Sequence, residues 1–435
     1  MRRTGAADPA AAGHRTSAPG HDVRLLWWAN SADALGTQIS GLALPLLLLG
    51  LGYSPALVGA VAGASTALGL LLGPFAAVPA DRGARRRVMI LCAAVSAAAL
   101  GSLAAALALG SLHPAHLFAA VLVERVATSC QEAAARGAVA LVCPADDHPR
   151  VVSRLQAGEQ GALVLGPLLG GLLYQAARWL PFLADALSYL VAALCVRGMR
   201  SDLAPAGARA RARDTRPSRA RWGAFASEAG AGLSLVLRSP VLRLVLVWTA
   251  AAGGLLVALH YTVVFALQES GRGPAAVGLV FSVAGAAGLA GALAAPAVVR
   301  RLTAPRTLVA VSWLIVPAAA GLAAGNGPWS YGLLFGAVSL LVPAAVVVLQ
   351  TRVLRVTPPE LLARTGTALA TAAGIAAAVA PLAAGTAVAR AGAAPTIAGC
   401  AVLLALLAAG TTLAVARGAL SAPSPGPAAT AKGAL

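Results

Sequence analysis

Lysine is almost missing: of 33 basic residues only Lys432 is a lysine, and the other 32 are arginines. Acidic residues are also scarce, 15 in 435, so charged residues make up 11% of the chain. That excludes an ordinary water-soluble protein, in which about a quarter of residues are charged. Cysteine is sparse as well. Cys92, Cys130, Cys143, Cys195 and Cys400 are odd in number, lie within or at the ends of apolar runs, and have no metal-ligand spacing. They imply neither a disulfide framework nor a zinc site. No stretch has the form GxxxxGK[ST], so nothing in the sequence would cradle the phosphates of ATP as an energy source.

What the chain has in abundance is hydrophobic surface, 59% of residues with a mean hydropathy of +0.80. Apolar runs of roughly 20 residues or more, the length that crosses a hydrocarbon core, recur from Leu25 to Val415. The sequence is that of a polytopic all-α membrane protein. Twelve spans are expected, near 24–49, 56–79, 88–110, 115–142, 152–176, 179–197, 241–267, 275–299, 307–325, 329–351, 362–388 and 395–417. Many are rich in Ala and Gly, as befits helices that approach one another closely. The first run is too long for a cleaved signal segment and reads as a retained helix behind a short polar tail.

The net charge of +18 raises a nucleic-acid partner, but its placement argues against one. "GLGYSP", "GSLHPAH" and "GNGPW" contain no Arg or Lys, whereas the alternate connections hold clusters of basic residues. This is the positive-inside pattern and places both termini in the cytoplasm. The expected organisation is a tail (1–23), a six-helix bundle (24–197), a basic linker (198–240), a second six-helix bundle (241–417) and a second tail (418–435). In the linker, "PAGARARARDTRPSRAR" reads as disordered. The following "WGAFASEAGAGLSLVL" is either an amphipathic helix on the anionic leaflet or plain solvated linker. "GPFAAVPADR" (73–82) aligns with "GALAAPAVVR" (291–300), and "GPLLGG" (166–171) with "APLAAG" (380–385), which points to two repeated halves.

Two of these stretches carry a family resemblance. "FAAVPADRGARRRVMIL" (75–91) resembles the loop motif of the major facilitator superfamily: Asp81, Arg82, Arg85 and Arg86 match, while Ala77 and Ala84 stand at its two glycine positions. "GPLLGG", with Gly166, Pro167, Gly170 and Gly171, resembles the end of the antiporter motif of drug exporters in that superfamily, with Ala162 in place of an earlier glycine. "WWANSADALGTQISGLALPLLLL" and "FLADALSYLVAALCV" look like the macrolide-efflux and siderophore-exporter branch. The resemblance implies two six-helix bundles and a latch in which Asp81 meets the N-terminus of span 11 to stabilise an outward-open state. The alternative is that the loop only fixes topology. Pro167 deprives a carbonyl one turn earlier of its donor, and the neighbouring glycines admit another helix, either as a kinked barrier to proton leakage or as ordinary close packing.

Five acidic residues fall within spans: Asp33, Glu124, Glu132, Glu159 and Asp185. A charge at membrane depth costs about 2.5–3.5 kcal/mol on insertion scales, so each is a candidate for function. In span 4, Arg125, Ser129, Glu132 and Arg136 share one helix face that must look into protein or a wet cavity. Arg125 also resembles the span 4 arginine that the superfamily associates with proton coupling. Depth along the helices makes Arg136 and Glu159 an ion-pair candidate. Proton-coupling candidates are Asp33, Glu124, Arg125 and Glu132, with Asp33 or Glu124 expected to carry the proton; a satisfied interhelical hydrogen bond is the plainer alternative for each. Asp185 reads as structural, and His260 as a hydrogen-bonded histidine.

Gln38, His260 and Tyr261 are candidates to line the cargo cavity. The expected function is a proton-coupled exporter of a hydrophobic or amphipathic small molecule, such as an antibiotic or siderophore, working by alternating access. An importer or facilitator in the same fold is the alternative; a non-transporting sensor or a membrane enzyme is remote, because Asp146 and Asp147 stand without a second carboxylate cluster for Mg²⁺. The expected partners are cargo, protons and the lipid bilayer. No cofactor, metal or nucleic acid is expected, and the expected state is a monomer in the cell membrane.

Overall fold

Proline opens six of the twelve long helices, where its fixed φ suits the first turn and its missing N–H costs nothing. In the computed structural model, which describes residues 19–79, 85–136, 138–201, 203, 233–325 and 327–420, the first half comprises α1 (Pro19–Gly50), α2 (Pro55–Pro79), α3 (Arg85–Ala108), α4 (Pro114–Arg136), α5 (His148–Ala176) and α6 (Leu180–Gly198). The second comprises α7 (Pro240–Glu269), α8 (Pro274–Arg301), α9 (Ala304–Leu322), α10 (Pro328–Val356), α11 (Leu362–Ala391) and α12 (Ala393–Ala416). The expected fourth span runs to 142, but α4 ends at Arg136. A separate four-residue turn, Val139–Val142, follows.

Among the described residues, ten helices are long and apolar enough to cross a membrane. The two others are α4 and α5, whose in-span charges depress their hydropathy: Glu124, Arg125, Glu132 and Arg136 on α4, and Arg150, Arg154 and Glu159 on α5. Their position among apolar partners, not their composition, makes them members of the bundle.

The two halves repeat one packing scheme. In the first, α1 packs on α5 and α6, α3 on α4 and α6, and α2 on α4; in the second, α7 packs on α11 and α12, α9 on α10 and α12, and α8 on α10. Between halves the main contacts are α2 with α11 and α5 with α8. Both seams use glycine against proline carbonyls. A Cβ at Gly59 would collide with the Pro381 carbonyl, and one at Gly385 with that of Pro55. Likewise Gly278 faces the Pro167 carbonyl, and Gly171 that of Pro274. Lipid offers helices no hydrophobic drive to associate, so such close backbone contact is what holds the halves together.

These contacts expose a repeat at an offset of 219 residues: "GYSPALVG" (52–59) answers "GRGPAAVG" (271–278). Gly52 and Gly271 have φ of 85° and 68°. Each ends a helix with a left-handed residue, and Tyr53 and Arg272 then donate back to the carbonyls of Leu48 and Leu267. Both turns lie at the end of the molecule remote from the termini, as do the glycine and proline seams. Toward the termini, the first half instead surrounds a cavity.

Candidate translocation cavity

On α4 the residues one turn apart at Glu124, Thr128 and Gln131 form a face turned toward α6 and α1. Glu124 Oε1 accepts from Thr128 Oγ1 at 2.7 Å and from Tyr189 OH at 2.8 Å, and the two hydroxyls are 2.9 Å apart. Tyr189 is fully buried. This triangle ties α4 to α6 and gives the Glu124 carboxylate two neutral donors.

Farther toward the termini, a cavity of about 630 Å³ opens between α1, α4 and α5, with α3 and α6 behind. Its polar lining includes Asn30, Asp33, Gln38, Gln131, Glu132 and Glu159. Gln131 Nε2 donates to Asp33 Oδ1 at 3.3 Å. Glu159 accepts from Asn30 Nδ2 at 3.2 Å and from Gln156 Nε2 at 2.9 Å. Amide donors therefore stabilise both carboxylates. The Arg136 side chain lies outside the described residues, so the expected pair with Glu159 does too.

A second cavity of about 230 Å³ shares Thr37 with the first and reaches both halves: Ser40, Glu124 and Arg125 line it from one side and Tyr261 from the other. Gly69 on α2 makes room for the Arg125 guanidinium, since a Cβ there would lie 2.5 Å from Nη2. Arg125 Nε is buried without a hydrogen-bond partner among the described residues. Ser129, on the same face, spends its hydroxyl on the Arg125 carbonyl at 2.8 Å.

Other sequence candidates sit elsewhere. His260 stacks on Phe281, with ring centroids 4.0 Å apart, beside Tyr261 and Phe335. It lines neither cavity described above, because this aromatic cluster holds its ring. Asp185 is buried and accepts from Ser188 Oγ at 3.1 Å. Gly36 lets α1 pass directly over this site.

Asp81 and Arg82 of the loop motif lie outside the described residues. Arg85 is buried at the start of α3. Arg86 donates through Nη2 to the carbonyls of Met199 and Ser201, at 2.8 Å each. Asp22, at the start of α1, accepts from the N–H groups of Arg200 at 3.1 Å and Ser201 at 2.7 Å. Together they grip the chain where it leaves α6.

The antiporter-motif residues form a three-helix contact. Gly166 packs against Gln38, and a Cβ at Gly170 would lie 2.8 Å from the Ile39 carbonyl, so both press α5 on α1. Gly171 and the Pro167 carbonyl face α8, and the Leu168 N–H donates to Ser282 Oγ at 2.9 Å across the halves. Sequence reasoning did not single out Gln131 or Asp22. The spacing of Glu124, Thr128 and Gln131 was the available signal for the first.

Two bundles of membrane-length helices repeat one packing scheme and meet along glycine seams toward one end, and the first bundle holds a polar cavity toward the other. The chain belongs to the Major Facilitator Superfamily, whose family model matches residues 26–381. Among solved structures, a bacterial homologue of the human lysosomal transporter Spinster, in an inward-facing and unoccupied conformation, superposes with a TM-score of 0.70 at 15% identity, covering 94% of this chain and 100% of that one. A bacterial homologue of the iron transporter ferroportin, inward-facing, gives 0.67 at 14%, covering 90% and 98%. The nucleoside transporter NupG gives 0.66 at 13%, covering 90% and 99%. No curated protein sequence matches this chain.

Proposed function

We propose that this protein is a secondary active transporter that exports a hydrophobic or amphipathic small molecule in exchange for protons. The observation that carries the reading is the one-sided arrangement: glycine and proline seams close the end remote from the termini, while the carboxylate-lined cavity lies toward the termini. With the basic connections and both termini in the cytoplasm, as the positive-inside rule has it, this is the inward-facing member of an alternating-access pair.

In the cycle we infer, cargo enters the cavity from the cytoplasm and the seams α2–α11 and α5–α8 part as the cytoplasmic ends close. The loop motif, Asp81 with Arg82, Arg85 and Arg86, then latches the cytoplasmic side. Asp33 and Glu124 are the proton carriers, since each is a carboxylate held by neutral donors that serve it with or without its proton. Arg125, between Glu124 and the second half, responds to that protonation. Most of the wall is aliphatic, which suits an apolar cargo body. The superfamily supplies no single substrate: the solved relatives are described as transporters of quite different molecules.

The test is transport by purified protein in vesicles loaded with a fluorescent hydrophobic dye. Dye movement that follows an imposed pH gradient and reverses with it is the expected result. An unchanged rate and final level under every gradient would exclude proton coupling.

A further inference from the structure

We propose that the groove between α7 and α12, at the end of the second bundle that bears the termini, binds one anionic phospholipid of the adjoining leaflet, with its phosphate held by Arg243 and Arg417. Its occupancy depends on the bilayer and not on what the cavity of the first bundle carries.

The two helices pack on each other, and a cavity of about 510 Å³ opens between them. Arg243, in the first turn of α7, and Arg417, directly after α12, both line it, and both are exposed. Below them the lining is aliphatic. Val247, about one turn deeper on α7, is 54% exposed, and Leu406, about three turns deeper on α12, is 63% exposed. Gly410 lies between Leu406 and Arg417, and a Cβ there would meet nothing within 4 Å, so the groove is open along its length. Paired guanidinium groups above an apolar lane suit an amphiphile: the arginines reach the headgroup layer and the lane takes the upper part of an acyl chain.

Charge decides the occupant. No acidic residue lines the groove, and neither guanidinium has a side-chain partner among the described residues. Two guanidinium groups on one cavity repel each other, and a phosphate diester accepts from both. A zwitterionic lipid would bring its own cation to the pair, whereas an anionic one leaves the attraction undivided. A free phosphate would leave the aliphatic lane bare. Residues 421–435, next along the chain, contain Lys432 and no acid, so their side chains do not complement the arginines. The corresponding cleft of the first bundle, between α1 and α6, is filled at that end by the protein itself. A Cβ on Gly198 would lie 3.4 Å from Leu25 Cδ1, and Asp22 holds the N–H groups of Arg200 and Ser201. The second bundle leaves that place open.

The experiment titrates the purified, delipidated full chain in a non-ionic detergent with dioleoyl phosphatidylglycerol, dioleoyl phosphatidylcholine or inorganic phosphate, and counts bound molecules by native mass spectrometry. One phosphatidylglycerol should bind at least about tenfold more tightly than phosphatidylcholine, and millimolar phosphate should not displace it. Arg243→Gln combined with Arg417→Gln should weaken that binding at least about fivefold. Arg306→Gln combined with Arg355→Gln, which removes the same charge from exposed sites on α9 and α10 at the same end of the molecule, should change it less than about twofold. Gly410→Phe fills the groove, keeps both arginines, and should also weaken binding at least about fivefold. Unfolding midpoints without lipid check that each variant folds, and Gly410→Phe alone tests the groove if the first pair does not. Equal affinity for the two lipids, displacement by phosphate, the same loss in both arginine pairs, or undiminished binding by Gly410→Phe overturns the proposal. The readout needs neither cargo nor gradient, so its failure and the failure of the export reading are separate results.

Discussion

Asp33 and Asp185 are both aspartates of the first bundle, yet their surroundings divide them. Asp185 is buried against Ser188 where Gly36 brings α1 onto α6. Replacing it with alanine removes a buried side chain where the helices touch and its contact with Ser188, and a loss of about 1–3 kcal/mol of stability is expected. A lowered unfolding midpoint of purified Asp185→Ala checks this. Asp33 lines the cavity and accepts from the Gln131 side-chain amide. Asp33→Asn should keep the unfolding midpoint and cut proton-driven dye movement at least tenfold, about 1.4 kcal/mol in barrier terms. The sequence flagged all five in-span acids, because a charge at membrane depth is costly, and set Asp33 and Glu124 apart as proton carriers and Asp185 as structural. It could not name the partner of Asp33, because Gln131 stands on another helix, 98 residues along the chain.

At the level of elements, the seams between halves depend on glycine. Gly59 and Gly278, one on α2 and one on α8, each sit against a proline carbonyl of the opposite half, with no room for a Cβ. Valine at either position should push the seam apart and disfavour the state seen here. In a cysteine-free background, a cysteine at Ser54 should then react faster with a membrane-impermeant maleimide, while valine at Gly101, which has open space around it, changes nothing. An unaltered rate in both seam variants would mean that the contact does not close the structure. The offset repeats at 73–82 and 166–171 were legible in the sequence. The stronger one at 52–59 and 271–278 was hidden, since Gly, Pro and Ala are common throughout the chain and only shared geometry singles those residues out. The early end of α4 was missed for a related reason, because the apolar run continues to Val142 although the helix does not.

For the whole molecule, the orientation we propose rests on arginine. The connections at the end bearing the termini carry Arg85, Arg86 and Arg87, Arg150, Arg200, Arg300 and Arg301, while the 51–54 and 109–113 turns have none. A reporter tag inserted in the 204–232 segment should be read on the same side as tags at both termini, and opposite a tag in the 109–113 turn. Tags on the segment and the termini that report opposite sides would break the topology. Asp22 and Arg86 add a structural consequence: both hold residues 199–201, so the linker to the second half departs from a fixed point rather than a loose end.

By itself the sequence determined the solvent, the number of helices and the division into halves, because each follows from local hydrophobicity, span length and the placement of arginine along the chain. Only the tertiary structure decided which end the halves close, which carboxylates share a cavity, and that Arg243 and Arg417 line one groove. Those depend on which faces of helices distant in sequence meet, and a composition rich in Ala, Gly and Leu leaves the faces too alike to be told apart beforehand.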